Sequence, residues 1–270
     1  MSLMNFTMSF STRLRAAVKT AALHFLGSLF VAGWAAVLVF LVWYPHPYSL
    51  LSGGRSLFLI LVSVDVVCGP MLTLVLYNPK KSKKELFLDI SLVLFIQLAA
   101  LLYGVHVVYQ ARPLFLVHEV DRFRVISLPD YQGNDVDQAL LSLDPEIRPR
   151  WFKGPVIVGI RPPKDSKERH EVMLDSVFGG RDYSQRPEFY VPYDAIYREK
   201  VQTRTQKLKI FVERYPESMG AAHEVLKKKG VALEAALYLP VLHKQEWIAI
   251  LDPSADILGF IPGDGFLTQD

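Results

Sequence analysis

Long apolar stretches dominate the first 110 residues of the chain. Residues 20–44 carry no charged side chain, residues 56–77 carry only Asp65, and residues 86–109 carry only Asp89. A helix needs roughly 20 residues to cross about 30 Å of hydrocarbon, and each stretch exceeds that length. The pattern therefore predicts a three-helix transmembrane domain in this part of the chain.

The remaining residues, 111–270, alternate between short strand and helix patterns. Short apolar runs between turn residues predict strands over residues 114–120, 123–128, 155–160, 237–242, 247–251 and 257–260. Amphipathic spacing predicts helices over residues 135–143, 166–178, 194–214 and 217–229, with Ser166 as the cap of the second. Helices and antiparallel strand pairs mix without regular β–α–β alternation, so we expect an α+β domain.

The distribution of charge predicts the orientation in the membrane. Residues 1–110 carry eight Lys/Arg and three acidic residues, whereas residues 111–270 carry 22 basic and 24 acidic residues. Most of the basic residues of the first part flank the first helix or lie between the second and third: Arg13, Arg15, Lys19, Lys80, Lys81, Lys83 and Lys84. The positive-inside rule places them in the cytoplasm. Three crossings then put the α+β domain on the far side, which is the periplasm if the membrane is a bacterial inner membrane.

Lipid contacts follow from the same arrangement. The lysine-rich loop is suited to anionic lipid, at roughly 1 kcal/mol per residue. Aromatic residues near the outer helix ends predict an interfacial belt of Trp43, Tyr44, Tyr48, Tyr103 and Tyr109. Because the far-side domain is slightly acidic, the basic total does not indicate nucleic-acid binding.

Asp65 lies near the middle of the second apolar stretch, where an ionised side chain costs at least roughly 2.5 kcal/mol. Counting along the helices puts Trp34 at a similar depth and Gln97 within about one turn of it. One interpretation is a hydrogen bond from Asp65 to Gln97 or to backbone that holds the helices together. The other is a docking site for a partner's polar or cationic group inside the membrane.

Gly69 and Pro70 follow Asp65 within the same helix. Pro70 cannot donate a hydrogen bond to the carbonyl of Val66, so we expect a kink there. The kink is either an ordinary transmembrane proline or the wall of a groove that a partner helix enters.

The sequence offers little support for catalysis. There is one cysteine, Cys68, and no HExxH, P-loop, G-x-S-x-G or G-x-G-x-x-G pattern. The pairs His118-Glu119 and His170-Glu171 have no second ligand at metalloprotease spacing, and we expect solvated or structural roles for them. We therefore expect no enzyme activity, no metal and no cofactor.

Residues 186–193 combine prolines and tyrosines at unusual density in the far-side domain. Such a segment is either a rigid structural loop or an aromatic contact surface.

Several motifs occur together in this chain. They are Trp43-Tyr44-Pro45, residues 64–74 (VDVVCGPMLTL), residues 77–80 (YNPK), residues 88–91 (LDIS), residues 97–101 (QLAAL), Tyr103-Gly104, Arg112-Pro113, Gln185-Arg186-Pro187 and residues 190–193 (YVPY). In this combination the chain resembles the TfpX/TfpZ-type type IV pilin accessory proteins. The resemblance covers most of the chain and is strongest over residues 40–125. Cys68 departs from the aliphatic residue expected at its position.

The resemblance implies an inner-membrane, chaperone-like accessory protein of fimbrium biogenesis that helps a cognate major pilin to reach the surface as type IV pili. Pilins wait in the inner membrane through an apolar helix, with a globular head in the periplasm. We therefore expect the membrane helices to contact the pilin helix and the soluble domain to contact its head. The residues assigned to these contacts are Asp65, Gly69, Pro70 and Gln97 for the helix, and Arg186, Pro187, Tyr190 and Tyr193 for the head.

Two other classes of function stay open. A membrane-anchored sensor would bind a ligand in its periplasmic domain, although the cytoplasmic side offers only a short N-terminus and one loop as an output. A pilin-modifying membrane enzyme would need a catalytic constellation that the motifs do not supply.

Overall fold

The computed structural model describes residues 2–78, 81–131 and 136–266, with side chains from residue 14 onward. The chain divides into two compact units. The first, the membrane unit, contains Met1–Leu41 and Gly54–Tyr109. The second, the sheet unit, contains Val42–Gly53 and Gln110–Asp270. The segment between the first two apolar stretches therefore belongs with the sheet, although its sequence alone does not indicate this.

The membrane unit consists of long apolar helices. Its helices are α1 (Ser2–Val37), α3 (Gly54–Leu76) and α4 (Lys83–Gln110). A π-helical segment (Leu38–Trp43) continues α1, and the short α2 (Tyr48–Leu51), which belongs to the sheet unit, lies between α1 and α3 in the chain. Among the described residues, three segments are long and apolar enough to cross a membrane: Leu14–Trp43, Gly54–Leu76 and Lys83–Gln110. The three predicted helices of membrane-span length are therefore confirmed. Pro79 and Lys80 lie outside the described residues, as do the side chain of Arg13 and any contact it makes.

The sheet unit mixes short helices with strands. Its elements after α4 are β1 (Pro113–Glu119), β2 (Arg122–Ser127), α5 (Val136–Leu141), β3 (Val156–Ile160), α6 (Ser166–Val177), β4 (Tyr190–Pro192), α7 (Ala195–Gln202), β5 (Gln206–Lys207), α8 (Leu208–Arg214), α9 (Met219–Lys229), β6 (Leu237–Leu242), β7 (Trp247–Leu251) and β8 (Ile257–Pro262). In the described part of the chain the strands form one sheet in the order β4-β3-β1-β2-β6-β7-β8, with β5 paired to β6. The β1–β3 and β2–β6 pairs are parallel and the other pairs antiparallel, which confirms a mixed domain.

The sheet is covered on both faces where β6, β7 and β8 meet. Along β7, alternate residues point to opposite faces, as the strand period of two requires. Trp247, Ala249 and Leu251 join one apolar cluster with residues of α2 and α7. Ile248 and Ile250 join another with residues of α8 and α9. Because both faces of β7 are buried, its sequence is a continuous apolar run and does not alternate between apolar and polar residues.

The segment Val42–Gly53 is part of the core of the sheet unit. Tyr48 and Leu51 pack in the same cluster as Phe123, and the Tyr48 ring lies 5.8 Å from that of Phe260. Trp43 and Tyr44 are buried as well. The predicted interfacial belt is therefore wrong for Trp43, Tyr44 and Tyr48, because their side chains are enclosed by protein and cannot face lipid.

The predicted long helix over residues 194–214 is wrong. It is divided into α7, the two-residue strand β5 and α8. Gln206 and Lys207 pair with Tyr238 and Leu237 of β6, and the Leu208 amide donates to the carbonyl of Ala236 at 3.0 Å. Backbone pairing with the sheet replaces the helical hydrogen bonds at this point, which periodicity along the chain does not reveal.

The helix caps differ in one place from the prediction. Asp165, rather than Ser166, caps α6, and its carboxylate accepts a 2.8 Å hydrogen bond from the amide of Glu168. The helix predicted over residues 135–143 is observed as α5, although Asp135 itself lies outside the described residues.

His118 lies on β1 and is buried, so of the two expected roles, solvated or structural, the structural one applies. Its Nδ1 is 3.0 Å from the Tyr197 hydroxyl, whose oxygen also accepts a 2.9 Å hydrogen bond from the amide of Ile160. The same hydroxyl donates to the main-chain carbonyl of His118 at 3.5 Å. Burial lowers the pKa of His118 from 6.5 to about 4, and the opposing effect of the Asp121 carboxylate is smaller.

We expect Leu51→Ala to destabilise the sheet unit by about 2–5 kcal/mol, because it removes a fully buried side chain from the core. Hydrogen–deuterium exchange of β7 in the detergent-solubilised protein measures this as faster exchange. Leu141→Ala is the matched control, since Leu141 is exposed in the same unit. Equal protection of β7 in the two variants would show that the segment Val42–Gly53 does not stabilise the sheet.

We expect His118 to make the sheet unit less stable as the pH falls from 6.5 to 4. In that range the unfolded chain binds a proton that the buried imidazole does not, so the free energy of unfolding decreases by about 3 kcal/mol. Above pH 6.5 both states are neutral and the effect disappears. Thermal unfolding of the wild type and His118→Gln across this range measures it, because the variant lacks the titration. The same pH slope in both proteins would contradict the assignment.

Candidate functional site

The membrane unit contains a cavity of about 470 Å³ between its helices. It is lined mostly by apolar side chains from α1, α3 and α4, among them Val31, Ala32, Val62, Ile90, Leu94 and Leu98. Asp65 and Gln97 line it as well, together with His24 and Thr73. The cavity therefore combines an apolar wall with a small group of polar side chains, which is the usual composition of a binding site.

Gln97 connects α4 to α3 through the backbone. Its Nε2 donates a 2.8 Å hydrogen bond to the main-chain carbonyl of Asp65. The two residues are therefore joined, but through the main chain of Asp65 and not through the carboxylate that was predicted to bond to Gln97 or to backbone. The main-chain carbonyl of Asp65 therefore contributes to helix packing, whereas its side-chain carboxylate does not.

Two acceptor atoms at the cavity are left without partners. Oδ2 of Asp65 and Oε1 of Gln97 are buried and form no hydrogen bond with any described residue. A buried polar atom without a partner costs on the order of 1–3 kcal/mol, and more when it is charged. Both atoms are acceptors, so a group that satisfies them must bring a hydrogen-bond donor.

Gly69 makes room for the Gln97 side chain. A Cβ atom at residue 69 would lie 2.0 Å from Nε2 and 2.1 Å from Cδ of Gln97. Pro70 follows inside α3 and is buried beside it. Gly69 and Pro70 therefore shape the α3–α4 contact next to Asp65, while Trp34, which is 65% exposed, does not line the cavity.

His24 and Thr73 are site residues that the sequence analysis missed. His24 Nδ1 lies 2.6 Å from the Thr73 hydroxyl, so these side chains join α1 to α3. A signal was present in the sequence, because Asp65, Gly69 and Thr73 follow one another at intervals of four residues and so share one helix face. The spacing of these residues was therefore a sequence signal for the face of α3 that borders the cavity.

The predicted contact residues of the sheet unit are enclosed by it. Arg186 is buried and pairs with Asp175, with a longer contact of 3.6 Å to Glu188. Pro187 is buried in the adjoining 3-10 turn. These interactions hold the loop in place and are typical of a structural segment.

The two tyrosines of this segment also bond within the domain. The Tyr190 hydroxyl donates to the carbonyl of Ser184 and lies 3.0 Å from that of Tyr131, and burial raises its pKa well above 10. The Tyr193 hydroxyl donates to the carbonyl of Ala255 at 2.7 Å. Partner contact by Arg186, Pro187, Tyr190 and Tyr193 stays a prediction, and burial favours the structural interpretation of the segment.

Helix α6 instead presents an exposed apolar face. Met173, Leu174, Val177 and Phe178 lie at helical spacing and are exposed, with Phe178 83% accessible. Large apolar side chains clustered on one face of a soluble helix mark an interaction surface. We call these four residues the α6 face.

The described part of the chain contains no candidate metal site of three or more ligands. No group of three or more His, Cys, Asp or Glu side chains there is arranged to hold an ion.

Comparison with known proteins identifies a matching family and several similar proteins. The family described as fimbrial assembly protein FimB matches residues 12–53. The chain is 37% identical to the fimbrial assembly protein of serogroup I from Dichelobacter nodosus, over 93% of this chain and 96% of that protein. It is 36% identical to the serogroup E1 protein of the same organism over the same shares.

A shorter relative, the fimbrial assembly protein of serogroups C1 and C2 from Dichelobacter nodosus, is 46% identical over 46% of this chain and 94% of its own length. No solved structure matches the chain. The similarity to the two longer relatives runs through both the membrane unit and the sheet unit. The chain therefore belongs to the fimbrial assembly protein family.

Proposed function

We propose that this protein promotes the assembly of type IV pili by binding a cognate major pilin, whose membrane helix enters the cavity of the membrane unit. The observation that carries the proposal is the pair of unpartnered acceptors, Asp65 Oδ2 and Gln97 Oε1, in an otherwise apolar cavity. Membership of the fimbrial assembly protein family supports the general role in fimbrial assembly.

The occupant that fits the cavity is an apolar helix carrying a hydrogen-bond donor. Apolar side chains of the partner would replace lipid against Val31, Leu94 and Leu98, while the donor would satisfy the Asp65 carboxylate. An ionisable group within a membrane helix is costly unless it is paired or faces protein. Binding would therefore remove a cost that the free protein carries.

Binding a subunit requires no covalent bond to be made or broken, so the proposed role is that of an accessory, chaperone-like protein and not of an enzyme. The relatives are named by serogroup, which is compatible with one assembly protein serving one variant of the fimbrial subunit.

The proposed location is the bacterial inner membrane. Arg15 and Lys19 lie at the start of the span Leu14–Trp43, Lys81 lies just before α4, and Lys83 and Lys84 are its first two residues. By the positive-inside rule these ends are cytoplasmic and the sheet unit is periplasmic, on the side where a pilin head would be found.

The α6 face then offers a surface for that head, since its exposed side chains are large and apolar.

We expect a photoreactive amino acid at Leu94 to capture the pilin in living cells. Leu94 lines the cavity and is 50% exposed. Phe95 is the matched control, because it is the next residue on α4, is 71% exposed and does not line the cavity. Identification of the captured protein by mass spectrometry would support the proposal if pilin is found at Leu94 and not at Phe95. Capture from both positions, or from neither, would contradict binding in the cavity.

We expect Asp65→Leu to reduce pilin capture and surface piliation by about tenfold, because it removes a hydrogen-bonding carboxyl group worth about 1.5 kcal/mol. The main-chain carbonyl that Gln97 uses remains, so the abundance of the protein should change little.

Gln97→Leu tests the helix packing, with stability and not pilin capture as the readout, because the substitution also removes the acceptor Gln97 Oε1. It removes the hydrogen bond between α4 and α3, and we expect a loss of about 0.6–2 kcal/mol in the stability of the helix packing, measured as lower thermal stability in detergent. An Asp65→Leu protein that is abundant, and that captures pilin as well as the wild type does, would overturn the docking role.

A further inference from the structure

A short turn of the sheet unit combines exposed aromatic and basic side chains. Arg150, Trp151, Phe152 and Lys153 form it, closed by a 3.3 Å hydrogen bond from the Lys153 amide to the Arg150 carbonyl. Trp151 is 47% exposed and Phe152 is 73% exposed. Neither Arg150 nor Lys153 forms a salt bridge with a residue in the described part of the chain. We call these four residues the aromatic turn.

The aromatic turn is packed against the end of the first membrane span. The Trp43 indole nitrogen donates a 3.2 Å hydrogen bond to the Trp151 carbonyl, and the two rings meet edge to face with centroids 5.7 Å apart. Behind the turn, a Cβ atom at Gly154 would lie 2.8 Å from Pro45. Residue 154 must therefore be glycine for the turn to approach the chain this closely.

Trp43 is the last residue of the span Leu14–Trp43. A residue at the end of a membrane span lies where hydrocarbon gives way to headgroups. Trp43 itself is buried, so it cannot act as the interfacial aromatic that its position predicts. Trp151, which contacts Trp43, and Phe152, whose ring lies 4.6 Å from that of Trp151, are exposed aromatic side chains next to this residue.

We propose that the aromatic turn inserts into the headgroup region of the membrane that carries the helices. Trp prefers the membrane–water interface because its ring is apolar while its N–H bonds to water or headgroups, and Phe buries its ring in the same layer. Arg150 and Lys153 match the negative charge of anionic phospholipid. The sheet unit would then rest on the bilayer through this turn in addition to its covalent links to the helices.

The test places a polarity-sensitive fluorophore on the turn of the full-length protein. Cys68 is the one cysteine of the chain, so a Cys68→Ala background carrying Phe152→Cys is labelled at a single position. The protein is reconstituted without any partner, in nanodiscs of phosphatidylcholine and phosphatidylglycerol. A lipid with a nitroxide near its headgroup then quenches a fluorophore that lies in the interface.

Phe178→Cys in the same background is the matched control, because Phe178 is an exposed phenylalanine of the same unit outside the aromatic turn. We expect quenching at position 152 to exceed that at position 178 by about threefold or more. Equal quenching at the two positions would overturn the proposal and leave the turn as a surface for a protein partner. Labelling at Arg150→Cys provides a second position on the turn, and we expect it to behave like position 152.

The electrostatic part is tested by combining Arg150→Gln and Lys153→Gln with a label at position 152. We expect quenching to fall in discs that contain phosphatidylglycerol and to change little in discs of phosphatidylcholine alone. An unchanged signal in both discs would overturn the role of the two cations. This inference does not depend on pilin binding, because the experiment contains no pilin.

Discussion

The interior of a bilayer provides neither water nor hydrogen-bond partners, and that constraint governs both parts of this protein. Backbone groups in hydrocarbon must bond within their own segment, so the first part of the chain is helical. Polar side chains in the same layer have to find partners on neighbouring helices. Gln97 finds the carbonyl of Asp65, and His24 meets Thr73. Oδ2 of the Asp65 carboxylate finds no partner among the described residues, which is the reason for proposing that the cavity binds a partner.

The connection between the first two membrane helices belongs to the sheet. Tyr48 and Leu51 contribute to a core that is otherwise built from residues of β1 and later elements, so the chain leaves the first long helix, joins this core and then begins the next long helix. The core of the sheet unit therefore includes the segment Val42–Gly53, which lies between two membrane spans in the sequence. This arrangement also explains why Trp43 and Tyr44 are enclosed by protein.

Much of the fold could be predicted because its elements carry local signals. The hairpin of β1 and β2 and the apolar strand β7 follow from short apolar runs between turn residues, and α9 ends at Gly230, whose φ of +69° suits glycine. The helix predicted over residues 194–214 failed because its interruption depends on β6, which lies some 30 residues further along the chain. Of the candidate site, Asp65 and Gln97 could be named from their cost in the membrane, whereas His24 and Thr73 emerged from helix packing. The contacts predicted for Tyr190 and Tyr193 rested on composition, which cannot distinguish a buried loop from an exposed one.

By itself the sequence determined three spans of membrane length, a mixed domain after them and the presence of an acid at the middle of the second span. Length, apolarity and charge are properties of the chain that any folded arrangement has to respect. The tertiary structure decided which atoms of Asp65 and Gln97 are satisfied, which unit contains the segment Val42–Gly53, and which aromatic side chains remain exposed. Those outcomes depend on contacts between residues far apart in the chain, such as Trp43 with Trp151, and no local pattern encodes such a contact.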